Sequence, residues 1–212
     1  MNSSMVTIGC LGVSLLSLIV LHFLSSEFDP KWRMISEYAL GKYKHLLTVF
    51  FFFWGLSTVI MIFSFWDLQS DLWWRLGWSL MIPSSIGTIM GGLFDIKHKL
   101  HGVSFLLGVP TFIIGSLVIS YQIITLESWS NYSTALLTTA HLTWISSIIM
   151  GVAMGVMFSG FKKANVEVGP DQTPPEHLPP GVIGLGGYAN RLLVLSFFSW
   201  TFVISYIQLA IG

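Results

Sequence analysis

Six apolar stretches, roughly 6–24, 46–65, 73–94, 103–125, 135–158 and 192–211, divide the chain, and polar residues concentrate in the gaps between them. Each stretch is about 20 residues long, which lets an α-helix cross a hydrocarbon core of about 30 Å at about 1.5 Å per residue. The pattern predicts an all-α fold: a six-transmembrane-helix bundle forming one membrane domain over residues 1–212. The first stretch has no basic residue before it and is too long for the apolar core of a leader. No small-residue cleavage pattern follows at Leu24-Ser25-Ser26-Glu27, so it reads as helix 1.

The gaps carry their own signals. In the first, Pro30 breaks any helix, Ser36 is the expected N-cap of a short interfacial helix from Glu37 to Leu40, and Gly41 closes it. Trp32, Tyr38 and Tyr43 suit the headgroup layer, as do Trp66, Trp73, Trp74, Trp78, Trp129 and Tyr132 on the opposite side. Gly87 with Gly91, and Gly151 with Gly155, have the small-xxx-small spacing that lets helix backbones approach, most simply inside the bundle. Residues 160–190, rich in proline and glycine, read as a mobile cytoplasmic loop with little apolar surface to bury.

Charge orients the bundle. Nine of the ten Lys and Arg residues fall in the first, third and fifth gaps, and only Arg75 lies elsewhere. Basic residues in short loops are retained in the cytoplasm, so these gaps face inward and both termini lie on the non-cytoplasmic side. Composition agrees: 53% of residues are hydrophobic, 9% are charged and mean hydropathy is +0.74, against about 25% charged residues in soluble domains. With zero formal net charge there is no basic field for nucleic acid, which is excluded as a partner. The single cysteine, Cys10, forms no disulfide framework and reads as an inert apolar residue.

Ionisable groups at a bilayer are candidates for function because they are costly there. On the inner side they include Arg33, Glu37, Asp95 and five of the six histidines. Asp95, His98 and His101 are spaced to share one helical face, a donor set suited to zinc. This falls short of a zinc-enzyme motif, and a hydrogen-bond and ion-pair network outweighs it, with Asp95 pairing with Arg33 or Lys97 and His101 with Glu37. His141, alone among hydroxyls in the outer half of the fifth stretch, is the one candidate ligand for haem or a chlorin. All ten Asp and Glu residues lie in gaps or at helix ends, which argues against an ion-coupled transporter. No nucleophile-elbow pattern marks a serine hydrolase.

The order of motifs supports a family resemblance. Asp29-Pro30-Lys31-Trp32-Arg33-Met34-Ile35-Ser36-Glu37-Tyr38 has the form D-P-x-x-R-x-I-S-E-Y. The third stretch ends in Gly91-Gly92-Leu93-Phe94-Asp95, followed by His101-Gly102. Over most of its length the chain resembles the DUF998 family of six-helix bacterial and archaeal membrane proteins, whose polar positions Ser36, Glu37, Asp95 and His101 match. The resemblance implies fold, topology and a multi-pass place in a prokaryotic cytoplasmic membrane, but no agreed activity.

The resulting expectation is a non-catalytic binding or accessory protein. Its inner-face cluster of Arg33, Ser36, Glu37, Asp95 and His101 would contact lipid headgroups, a partner membrane subunit or a second copy of the chain. No cofactor is favoured. The alternatives are a metal-dependent enzyme, with zinc the candidate ion, acting on a lipid through Asp95, His98 and His101, and a subunit of a haem- or pigment-bearing complex with His141 as ligand.

Overall fold

The computed structural model describes residues 2–167 and 175–212, and among them there is helix but no strand. The α-helices are α1 (Ser3–Leu24), α2 (Lys44–Phe65), α3 (Leu72–Leu93), α4 (Leu100–Ile123), α5 (Glu127–Ser130), α6 (Ser133–Lys163) and α7 (Gly186–Ile211). A 3₁₀ helix, Ile35–Leu40, lies between α1 and α2. Helices α1, α2, α4, α6 and α7 are long and apolar enough to cross a membrane, which makes this a multi-pass membrane protein. The remaining long helix, α3, has 22 residues but a more polar sequence containing Arg75, Ser84, Ser85 and Thr88.

Local chemistry sets several helix ends. Asn2 and Asp71 cap α1 and α3 by accepting the amides of Ser4 and Trp74, each at 3.0 Å. Helix α6 overruns its apolar stretch and ends on Lys162 and Lys163, whose charges suit the negative end of a helix dipole. Helix α7 begins six residues before its apolar stretch because Asn190 and Arg191 find hydrogen-bond partners inside the fold.

The six long helices pack in sequence, and α7 closes back onto α1. Alternating directions put the two termini at one end, where the Ser4 hydroxyl donates to Gln208 Oε1 at 2.7 Å. Nine of the ten basic residues lie at the other end, called here the basic end. Helix α7 is the most buried of the five apolar helices. Its Phe197 stacks on Phe112 of α4 with centroids 4.2 Å apart, and Phe198 stacks on Phe50 of α2 at 5.9 Å.

The aromatic residues of the turns lie deeper than a headgroup belt requires. Trp74, Trp78 and Trp129 are buried around Phe65, and Trp74 donates its indole N–H to the Phe65 carbonyl at 3.0 Å. Trp32 and Tyr38 are buried too, while Trp73 is exposed. A turn that folds back over the bundle offers its rings an apolar interior, which hides more of them than the membrane interface would.

The two glycine pairs part company. A Cβ on Gly87 would stand 2.6 Å from the Ser104 carbonyl oxygen and still closer to the Gly108 nitrogen, so α3 and α4 touch backbone to backbone. Gly151 and Gly155 are exposed, with nothing near a would-be Cβ. Gly87→Ala is therefore expected to destabilise by about 1–3 kcal/mol through overpacking. Gly151→Ala should be neutral or stabilising by up to about 1 kcal/mol, because glycine weakens a helix interior. Unfolding of both variants in one detergent tests the contrast, and equal effects would contradict it.

The described part of the segment 160–190 packs more than its composition suggests. Val182 is buried and Leu178 partly buried in a small cluster with Trp32, Met157 and Phe161. Residues 168–174 lie outside the described residues.

A candidate binding site at the basic end

The segment joining α1 to α2 is tied down locally first. Asp29 Oδ1 accepts the Lys31 amide at 2.9 Å, and the Asp29 carbonyl accepts the Arg33 amide at 2.9 Å, turning the chain at Pro30. Ser36 is not the cap of the short helix that follows. That helix starts at Ile35, with Glu37 Oε1 accepting the Met34 amide at 2.9 Å and Asn190 Oδ1 accepting the Ile35 amide at 2.9 Å. The carboxylate and the amide take the capping role, and the Ser36 hydroxyl makes no hydrogen bond among the described residues.

Arg33 and Glu37 form a buried ion pair, with Nε 2.6 Å from Oε2 and side chains 8% and 6% exposed. Its N–H is poorly aligned with the oxygen, so the contact is ionic rather than a linear hydrogen bond. Arg33 also donates from Nη1 to the Pro175 carbonyl at 2.7 Å and lies 5.1 and 4.8 Å from the ring centroids of Phe28 and Trp32. Burial pushes the Glu37 carboxyl above its ordinary range, outweighing the Met34 amide and the Arg33 and Arg191 charges. Burial likewise raises the Tyr38 hydroxyl, against the opposing pull of Arg191.

Arg191 fastens this segment to α7. Its Nε donates to His22 Nε2 at 2.7 Å, Nη1 to the Arg33 and Gly187 carbonyls at 2.8 and 2.9 Å, and Nη2 to the Tyr38 hydroxyl at 3.0 Å. His22 accepts through Nε2 and so donates from Nδ1 to the Leu18 carbonyl, 2.7 Å away. One guanidinium thus joins α1, the 3₁₀ helix and α7. Gly187 permits the approach, since a Cβ there would lie 2.5 Å from the Pro30 carbonyl oxygen and 2.6 Å from that of Arg33. Sequence reasoning counted Arg191 only as an orienting charge. Arg191 stands just before the apolar stretch 192–211, and only the early start of α7 at Gly186 carries it into the fold, so no sequence signal marked it.

The turn between α3 and α4 contributes the second wall. Asp95 is exposed, and its carboxylate accepts the amides of Lys97 and His98 at 2.9 and 3.1 Å. His98 is also exposed, stacked on Phe94 and accepting the Leu100 amide through Nδ1 at 3.2 Å. His101 is half-buried and places Nδ1 3.0 Å from the Phe94 carbonyl, which makes Nδ1 the protonated nitrogen and leaves Nε2 a free acceptor. The expected partnerships of Asp95 with Arg33 and of His101 with Glu37 do not form, because the turn satisfies its own backbone first. Among the described residues no three His, Cys, Asp or Glu side chains gather closely enough to hold a metal ion.

Between these walls lies a cavity of about 350 Å³, bounded by the 3₁₀ helix and by α2, α3, α4, α6 and α7. Of the five residues of the expected cluster, Ser36 and His101 line it, joined by Asn190; Arg33, Glu37 and Asp95 do not. The rest of the wall is mainly apolar and aromatic, including Phe51, Trp54, Phe105 and Phe197. No Asp, Glu, Lys or Arg lines it. Such a space suits a ligand that is mostly hydrocarbon with a few polar atoms.

His141 lies apart, towards the end that carries the termini. Its Nδ1 accepts the Trp144 indole N–H at 2.8 Å, so Nε2 carries the proton and faces the Tyr121 hydroxyl at 3.0 Å. Both ring nitrogens are engaged by protein groups.

No curated protein and no solved structure matches the chain. A family model described as "protein of unknown function (DUF998)" matches residues 8–206 of the 212. With nearly its whole length covered, and with the helices and polar positions described above inside that span, the chain belongs to the DUF998 family.

Proposed function

We propose that this protein is a non-catalytic lipid-binding or accessory protein of a prokaryotic cytoplasmic membrane. It crosses six times, with both termini outside and the basic end in the cytoplasm. Helix α3 serves as the sixth span: it matches α1 in length and packs between two apolar spans, α2 and α4. The orientation rests on the nine basic residues at one end. The observation that carries the function is the cavity, which brings Ser36 and His101 from distant parts of the chain onto one apolar space.

Native mass spectrometry of the full chain, released from mild detergent, tests the reading. Wild type is expected to retain one lipid per chain, and Val109→Trp, which enlarges a cavity-lining side chain, should lose it. A lipid-free wild type, or equal retention by both, would defeat the proposal. Reporter fusions at Gly212 test the orientation: a cytoplasmic signal there would reverse it.

A further inference from the structure

The polar atoms around the cavity specify more than a lipid in general. At the basic end of the cavity the Ser36 hydroxyl and His101 Nε2 are free. Trp54, deeper in the wall, keeps its indole nitrogen buried among the rings of Phe50, Phe197 and Phe198, out of a ligand's reach.

From these groups we infer the ligand class: an uncharged, single-chain lipid with a hydroxyl-bearing head, as in a monoacylglycerol. Its hydroxyl donates to His101 Nε2, and Ser36 serves the head as donor or acceptor. A phosphate head is disfavoured because no lysine or arginine lines the cavity, and both neighbouring guanidiniums are already engaged. A volume of about 350 Å³ sits near the lower end of ligand pockets, about 300–1,000 Å³, so it has room for one chain.

This inference rests on reading the cavity as a lipid site, and the test separates the two. Equilibrium binding to the purified full chain in detergent is measured with radiolabelled monooleoylglycerol and with oleoyl-lysophosphatidate. Monooleoylglycerol is expected to bind saturably, at one per chain, and at least about tenfold more tightly than the phosphate. Ser36→Ala and His101→Leu should each weaken it about tenfold, the loss of one buried hydrogen bond.

Equal or tighter binding of the phosphate would overturn the uncharged head while the lipid site stood. Undiminished binding by both variants would overturn the placement of the polar groups. If neither probe binds but wild type carries a native lipid, the ligand class is wrong. If it carries none, both readings fall.

Discussion

Arg33→Met is expected to destabilise the folded protein by about 3–5 kcal/mol at neutral pH, because it strands a carboxylate inside the fold. Glu37→Gln should be far milder. Gln keeps the oxygen that accepts the Met34 amide. The carboxyl of Glu37 is also held above its ordinary range by burial, so the fold already leans towards an uncharged side chain there. The pH dependence follows from the same shift. A group whose pKa is higher folded than unfolded makes the native state bind more protons, so stability falls as pH rises above the ordinary value of 4.5.

Removing Arg33 raises that pKa further. The Arg33→Met defect should therefore shrink as pH is lowered from 7.5 towards 5, and the double variant Arg33→Met/Glu37→Gln should recover part of it at neutral pH. The double still lacks the bond to Pro175 and the ring contacts of Arg33, so recovery is incomplete. Unfolding midpoints at the two pH values decide the matter. A defect that is independent of pH would mean the charge is not what Arg33 compensates.

The second large effect belongs to Arg191. Arg191→Met removes the donors to His22, the Arg33 carbonyl and Tyr38 together, and is expected to destabilise by about 3 kcal/mol, given about 1.5–3 kcal/mol for each hydrogen bond to a charged group and strong non-additivity. The damage should be local. Amides of Met34 to Leu40 should lose protection in hydrogen exchange, while those at the centre of α7 keep theirs. Arg191→Lys should restore only part of the protection, because a single ammonium cannot span α1, the 3₁₀ helix and α7 as the planar guanidinium does. Unchanged protection of Met34 to Leu40 in Arg191→Met would show that Gly187 and the Asn190–Ile35 bond suffice to dock the segment.

Both predictions concern residues whose roles differ in legibility. Arg33 and Glu37 were expected to pair with Asp95 and His101 across the basic end, but they stand four residues apart and pair with each other instead. Their burial was not legible, because it depends on Phe28, Trp32 and Pro175 closing over them. Ser36 showed the reverse. Its residue type suggested a cap, but the short helix begins before it at Ile35, with Glu37 accepting the Met34 amide, and the hydroxyl was left for the cavity. Asp95, His98 and His101 had the right spacing for a shared face, yet each turned a polar atom to the nearby backbone.

The apolar lengths along the chain determined that it is helical and spans a membrane many times, since only long helices satisfy every backbone group in hydrocarbon. The placement of the basic residues determined which helix ends lie together. What tertiary structure alone decided is which polar side chains at that end meet. Ser36, His101, Asn190 and Trp54 come from four different segments, and no periodicity within one segment encodes their common wall. Their juxtaposition depends on backbone contact at Gly87 and Gly187 and on the reach of Arg191, all of them properties of packed surfaces rather than of local sequence.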